Sequence, residues 1–223
     1  MKKILIRLFL VVVGTLLLLP YFLPNESTIV ANDMPFDNSA FFTTYDDVKL
    51  HYRIWQPEQT PIGKILLVHG LGGSTFSYRK NAPALAEAGY TVIAVDLPAF
   101  GYSSKQRGLS HDQETRAKWL WQLLYDFDRN NNDETSWHLA GHSMGGSTVL
   151  AMSNANPKAV SSLILIDPAI TNEQPNSSWW LVGPISQWLK VGLNSFLITE
   201  NNLSNVLASA YGTKPSDPEV KGY

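Results

Sequence analysis

The residues that point most directly to chemistry are a serine and its flanking glycines, Gly141-His142-Ser143-Met144-Gly145-Gly146. The motif follows the apolar run 137–140 and precedes a helix-like stretch, 147–152. Where a strand turns this sharply into a helix, the central backbone is strained and a Cβ on the glycines would clash. The pattern predicts a nucleophile elbow, with the Ser143 hydroxyl exposed above a helix N-terminus that favours negative charge. A glycine-rich turn with a serine N-cap is the alternative.

Short apolar runs bounded by turn residues surround this motif. Runs of this kind are typical of strands buried on both faces, and they predict strands over residues 64–68, 91–96, 137–140 and 160–166. Helical spacing predicts helices over residues 76–88, with Gly89 as the C-cap, and over residues 112–127. The alternation predicts an α/β fold, a mostly parallel sheet with helices on both faces.

A hairpin is predicted ahead of these strands, over residues 41–44 and 48–55 with a turn at Asp46-Asp47. Its second strand alternates, which places His51 and Arg53 on one face and predicts that His51 is an exposed strand residue. Asp96 ends a buried strand and precedes a turn-rich loop. We expect its carboxylate to hold that loop by accepting backbone N–H bonds, and a catalytic role is the alternative.

Three motifs stand in order along the chain: His69-Gly70-Leu71-Gly72-Gly73, Asp96-Leu97-Pro98-Ala99-Phe100-Gly101-Tyr102-Ser103, and the glycine-flanked serine motif. Their order and spacing resemble the α/β-hydrolase superfamily, in its serine-nucleophile branch with a helical cap. The resemblance covers residues 41–167. It departs at Ala99, where the family usually has glycine, and the elbow serine differs from the aspartate of the epoxide hydrolase and haloalkane dehalogenase branches.

The resemblance implies a role for each matching residue. Ser143 would be the nucleophile, and the backbone amides of Leu71 and Met144 would form the oxyanion hole. His69 would support its loop. Asp167, at the end of the strand 160–166, is either the triad acid or a polar residue that begins the next segment. The implied reaction is acyl transfer from an ester or related acyl compound to water through an acyl-enzyme, with no cofactor and no metal ion.

The histidines of the chain are His51, His69, His111, His138 and His142, and none of them follows Ser143. His142 is too close in sequence to Ser143 to act as its base, and the family order of serine, acid and histidine would place the base beyond residue 223. We therefore expect an incomplete, inactive fragment that lacks the last strands of the fold and leaves strand 160–166 as an unpaired apolar edge. The alternative is a complete, non-catalytic hydrolase-like binding protein.

The N-terminus combines basic residues with an apolar stretch. Residues 4–23 carry one charge and are close to the length that crosses a bilayer. We expect an uncleaved membrane anchor, with the hydrolase domain on the extracytoplasmic side, which is the periplasm in a bacterium. A cleaved signal peptide followed by secretion is the alternative, although the best cleavage candidate, after Ala31, has Ile29 where a small residue is expected.

The sequence predicts three segments. Residues 1–38 would form the anchor and a polar linker, residues 39–168 the hydrolase core, and residues 169–223 the start of a helical cap. The apolar face of that cap, which includes Leu181 and Trp188, favours a small or medium apolar acyl substrate, but ordinary packing explains it equally. A net charge of −2 without a basic cluster beyond the N-terminus argues against nucleic acid as a partner. The lack of cysteine excludes disulfides and thiolate metal sites.

Overall fold

The computed structural model describes residues 11–22, 36–106, 108–170, 188 and 200–221. Its contacts divide the chain into two compact units. One unit comprises residues 29–172 with residue 223, and the other comprises residues 1–28 and 173–222. All strands of the described residues belong to the first, which we call the sheet unit, and we call the second the terminal unit.

The sheet unit is built on six strands. They are β1 (Ser39–Thr43), β2 (Lys49–Trp55), β3 (Gly63–Val68), β4 (Tyr90–Val95), β5 (Trp137–His142) and β6 (Val160–Ile166). Their order in the sheet is β1-β2-β4-β3-β5-β6. β2 pairs antiparallel with both β1 and β4, and the pairs from β4 through β3 and β5 to β6 are parallel. The predicted α/β class and mostly parallel sheet are confirmed, and the carboxyl ends of β3 to β6 share one edge.

Three helices connect these strands: α1 (Asn81–Glu87), α2 (Gln113–Asn131) and α3 (Met144–Ala155). The helix predicted over residues 76–88 is in fact two pieces, a 3-10 turn at Thr75–Tyr78 and α1. Pro83 explains the break, because it has no N–H to donate to the Arg79 carbonyl and its ring would clash with that carbonyl. Gly89 follows the end of α1 with φ at +103°, in agreement with its predicted role.

Helix α2 begins where the sequence predicts and runs four residues beyond the predicted end at residue 127. The Asp112 carboxylate caps it by accepting the backbone N–H of Thr115 at 2.7 Å. Asn132 ends the helix with φ at +50°, in the left-handed region that stops helix propagation. The cap at one end and the left-handed asparagine at the other set the length of the helix.

Apolar clusters cover both faces of the sheet. On one face, α2 and α3 pack on alternate residues of the central strands, namely Leu66, Val68, Ile93 and Val95. On the other face, α1 packs on the intervening residues Ile65, Leu67, Val92 and Ala94. The continuous apolar runs of β3 and β4 follow from this arrangement, since every side chain of a two-sided sheet meets a helix.

A buried ion pair ties the start of β3 to α2. Lys64 is 1% exposed, and its Nζ lies 2.6 Å from Asp128 Oδ1 and 3.4 Å from Asp133 Oδ1. The other oxygen of Asp128 accepts the indole N–H of Trp137 at 3.0 Å. The carboxylate therefore compensates a buried ammonium and satisfies a buried indole at the same time.

The terminal unit contains short helices. Residues 11–18 are helical and end in a 3-10 turn at Leu19–Tyr21, and α4 (Glu200–Tyr211) and α5 (Asp217–Lys221) lie near the other end of the chain. Pro20 cannot donate to the carbonyl of Leu16, four residues earlier. That carbonyl accepts the indole N–H of Trp188 at 2.7 Å instead.

No helix within the described ranges combines the length and the apolar character needed to cross a membrane. Residues 4–10 and 23 of the predicted anchor lie outside those ranges. So does the predicted apolar face of the cap, with the exception of Trp188.

The Lys64 pair generates a stability prediction. We expect Asp128→Ala to lower the free energy of unfolding by about 3 kcal/mol, because it leaves the buried ammonium with a weaker partner and the Trp137 indole with none. Asp126→Ala on the same helix is the control. Its partner Arg129 is 76% exposed, so we expect a loss below about 1 kcal/mol. Urea unfolding measures both, and equal losses would contradict the buried pair as the source of the effect.

Candidate active site

Ser143 lies between β5 and α3 with a strained backbone, φ +50° and ψ −119°. Its N–H donates to the Ile166 carbonyl at 3.0 Å, and its own carbonyl accepts the N–H groups of Gly146 and Ala169, each at 2.9 Å. A non-glycine residue in such a conformation costs about 1–3 kcal/mol, so the surrounding bonds must hold it in place. The predicted strand, sharp turn and helix are confirmed, and the Ser143 residue is partly buried.

The glycines beside Ser143 permit contact between backbones. A Cβ on Gly141 would lie 2.3 Å from the Gly145 carbonyl oxygen, and a Cβ on Gly145 would lie 2.2 Å from the carbonyl oxygen of Val68. Real Cβ atoms essentially never come this close to another atom. Both positions therefore require glycine, for the steric reason that the sequence predicts.

The loop after β3 lies directly beside the elbow. A Cβ on Gly70 would come within 3.0 Å of the Ser143 Cβ and within 2.9 Å of the His142 ring. Leu71, the next residue of the loop, is 78% exposed. Met144 is the first residue of α3, so its amide is among the N–H groups that have no acceptor within the helix.

His69 connects this loop to the loop after β4. Its Nδ1 lies 2.7 Å from the Gly70 carbonyl oxygen, and the Leu97 N–H donates to its Nε2 at 3.0 Å. The two partners set the tautomer, since a carbonyl only accepts and an amide only donates. Burial lowers the pKa of His69 below the ordinary histidine value, which favours this neutral, doubly bonded ring.

Asp96 holds the loop that follows β4, as the sequence predicts. One carboxylate oxygen accepts the Thr75 N–H at 2.6 Å, and the other accepts the Tyr102 N–H at 2.9 Å and lies 2.7 Å from His51 Nδ1. Burial by itself raises the pKa of Asp96, but the hydrogen bond and charge of His51 and the two backbone donors outweigh it and lower that pKa. The carboxylate thus stays charged although it is fully buried.

The prediction that His51 is an exposed strand residue is wrong. His51 is fully buried, with Nδ1 bound to Asp96 and Nε2 2.9 Å from the Ser39 hydroxyl. The Tyr102 ring, in the loop after β4, lies 5.1 Å from the His51 ring, so this loop covers the part of β2 that the alternation assigns to solvent. A polar ring can occupy such a place when both nitrogens have partners.

Ala99 stands where the resemblance leads one to expect glycine, and it adopts φ +74°. Only glycine takes this left-handed backbone without a steric cost, which gives the usual glycine a physical reason. The turn forms nevertheless, because the Ala99 N–H donates to the Ser104 carbonyl at 2.8 Å.

Asp167 follows β6 and is exposed, with φ at +44°. Its neighbours Ile166 and Ala169 bond to the Ser143 backbone, so it belongs to the same edge of the sheet. To the residues that the structure describes, its carboxylate makes no hydrogen bond and no ion pair.

Three histidine rings are hydrogen-bonded to groups other than Ser143. His51 and His69 are engaged as described above, and His138 Nδ1 lies 2.7 Å from the Ser162 hydroxyl. His142 is adjacent in sequence and exposed. Within the described part of the chain, the Ser143 hydroxyl makes no hydrogen bond to an imidazole. Nor do three or more carboxylate, imidazole or thiol groups gather there as a metal ion would require.

The chain is similar to known proteins. A family model described as alpha/beta hydrolase fold matches residues 64–187, a range that includes all three motifs. The dihydrolipoyllysine-residue acetyltransferase component of the acetoin cleaving system of Pseudomonas putida is 40% identical over 117 residues, which are 52% of this chain and 29% of that protein. The monoglyceride lipase of Rattus norvegicus is 25% identical over 188 residues, which are 84% of this chain and 60% of that protein.

Among solved structures, a membrane phospholipase A that is described as a novel bacterial virulence factor is similar over the full chain. It is 25% identical, with a TM-score of 0.59, and the match covers 69% of its own length. The matched part of this chain spans less than two thirds of both curated relatives.

The crowding at the elbow generates a prediction. We expect Gly145→Ala to lower the free energy of unfolding by more than about 3 kcal/mol, because its Cβ would meet a strand backbone that cannot move aside. Gly14→Ala is the control, since a Cβ there has nothing within 4 Å and the residue lies in a helix. We expect that change to be neutral or stabilising. Thermal and urea unfolding test the pair, and a mild effect of Gly145→Ala would show that the elbow can relax.

Proposed function

The chain belongs to the alpha/beta hydrolase fold family, and on that premise we propose that it is the nucleophile-bearing part of a serine hydrolase. The reaction is cleavage of an ester or related acyl bond through an acyl-enzyme on Ser143. The observation that carries the proposal is the strained Ser143 backbone at the junction of β5 and α3, beside the loop after β3. Strain of this kind, at the carboxyl edge of the sheet, is typical of a nucleophile elbow.

The reaction proceeds in two halves. The Ser143 Oγ attacks the acyl carbon while its proton passes to a general base, and the bond to the leaving alcohol breaks as that alcohol takes up a proton. Water then attacks the acyl-enzyme, and the acid is released with the free serine hydroxyl. No cofactor takes part.

The oxyanion of each tetrahedral intermediate binds to the amides of Leu71 and Met144. Two features support this assignment: Gly70 approaches the Ser143 side chain, and Met144 begins α3. Amides at a helix N-terminus also benefit from the helix dipole. Removal of one oxyanion-hole donor from a serine protease of another fold raises the activation barrier by about 2.7–4 kcal/mol.

We place the general base outside these 223 residues, with Asp167 as a candidate for the acid that would orient it. The support is the family order of serine, acid and histidine, together with the engagement of His51, His69 and His138 in other bonds. A serine hydroxyl without a base is a poor nucleophile, so the 223-residue chain would have only residual activity.

The substrate we propose is a small or medium apolar acyl ester. Two relatives support this class by name, a monoglyceride lipase and a membrane phospholipase A. We propose further that residues 4–23 anchor the protein in a membrane, with the hydrolase domain on the extracytoplasmic side. The basic residues that precede the apolar stretch support this orientation.

Labelling by a fluorophosphonate probe tests the mechanism. In the natural full-length product we expect labelling that Ser143→Ala abolishes and that the control Ser153→Ala, in the last turn of α3, leaves unchanged. The 223-residue chain should react at least about a thousandfold more slowly, because the base is absent. Labelling retained in Ser143→Ala would refute the assignment, and a folded full-length protein that never reacts would favour the non-catalytic binding protein.

Membrane association is tested separately by washing membranes at alkaline pH, with and without residues 2–23. We expect the intact chain to stay in the membrane pellet and the shortened chain to leave it, because the apolar stretch supplies the insertion energy. The intact mass of the pelleted protein distinguishes an anchor from a cleaved signal peptide. Recovery of the intact, unprocessed chain in the supernatant would contradict the anchor.

A further inference from the structure

Arg116 is a buried cation without a bonded partner among the described residues. It lies in the first turns of α2 and is 4% exposed. Its Nε is buried without a hydrogen-bond partner. The charge of Asp112 raises the pKa of Arg116, but burial outweighs it and lowers that pKa. A guanidinium has five N–H donors, and no described residue accepts from them.

The other buried charges of the sheet unit show how unusual this is. Lys64 is compensated by Asp128 at 2.6 Å, and Asp96 by His51 at 2.7 Å. A buried charge without a partner costs several kcal/mol, which is why such groups are almost always paired. The carboxylate of Asp112, the nearest along α2, is already bonded to Ser110 and Thr115.

The surroundings place Arg116 close to the candidate active site. The first turn of α2 is held to α3 by a hydrogen bond from the Thr148 hydroxyl to Gln113 Oε1 at 2.6 Å. Thr148 lies one turn after Met144, and its hydroxyl oxygen is 3.3 Å from the Met144 carbonyl oxygen. The positive charge of Arg116 also contributes to the lowered pKa of His69, whose loop borders Ser143, although burial is the larger cause.

We infer that Arg116 is the binding site for a small oxyanion, a carboxylate or a phosphate group, at the α2 side of the candidate active site. A planar guanidinium with free donors matches such groups through two parallel N–H···O bonds. The bound anion supplies a negative charge and the hydrogen-bond acceptors that the described residues do not provide. It comes either from free phosphate or from the carboxylate that the proposed hydrolysis releases, and only the second source depends on the proposed function.

The test is thermal unfolding of the full chain with Ser143→Ala as the background, so that turnover plays no part. Potassium phosphate and potassium acetate are each titrated against potassium chloride at equal ionic strength. We expect a specific rise in Tm that grows with the logarithm of the anion concentration and reaches roughly 5–10 °C at one hundred times the dissociation constant. Arg116→Met should remove that specific rise. The general salting effect of phosphate acts on every variant and is subtracted.

Arg129→Met is the matched control, because it removes an exposed arginine from the same helix. It should keep the full rise. If Arg116→Met does not fold, Arg116→Lys serves instead, and an equal rise in Tm should then require at least about tenfold higher anion concentration because the bidentate fork is lost. Equal responses in all variants, an Arg116→Lys response at the same anion concentrations as the parent, or no specific rise in the parent would each overturn the inference.

The two sources separate in the same titrations. A specific rise in Tm with phosphate alone identifies a phosphate site, whereas a specific rise with acetate at lower concentration identifies a carboxylate site. Both results support the anion site, and neither depends on whether Ser143 is a nucleophile.

Discussion

The structure depends on one close approach, where α3 crosses the carboxyl ends of β3 and β5 with backbone against backbone. Gly145 meets the Val68 carbonyl, and Gly141 meets Gly145, at distances that leave no room for a side chain. Because α3 starts immediately after this crossing, Ser143 is forced into a left-handed backbone above the sheet edge. The same crossing brings the loop after β3 to the serine. A steric constraint between main chains thus decides where the Ser143 hydroxyl lies.

Around that crossing, buried polar groups tie together loops that are distant in sequence. His69 joins the loop after β3 to the backbone of Leu97, and Asp96 joins Thr75, Tyr102 and His51. Every bond of this network involves a backbone group or a buried ring, so none is readily exchanged for water. Loops that flank a serine in this way are held in place before any substrate arrives, which is the condition for electrostatic stabilisation of a transition state.

Two buried cations of the sheet unit, Lys64 and Arg116, differ in how they are bonded. Lys64 is neutralised by carboxylates of the protein itself, and the pair serves stability alone. The Nε of Arg116 is buried without a hydrogen-bond partner among the described residues, and the proposed partner is a bound oxyanion. The first arrangement suits a position remote from the site, where a fixed partner costs nothing in function. The second suits a position where the partner is a ligand that comes and goes.

Local patterns in the sequence determined the parallel strands, the elbow at Ser143 and the loop-holding role of Asp96. They did so because a sharp turn demands glycine and a two-sided sheet demands continuous apolar runs. The buried place of His51 was not predictable in this way, since it depends on how the loop after β4 folds over β2. The pairing of Lys64 with Asp128, 64 residues away, and the approach of Gly70 to Ser143 likewise needed the tertiary structure. Strand order and helix crossing decide such contacts, and residue spacing along the chain does not encode them.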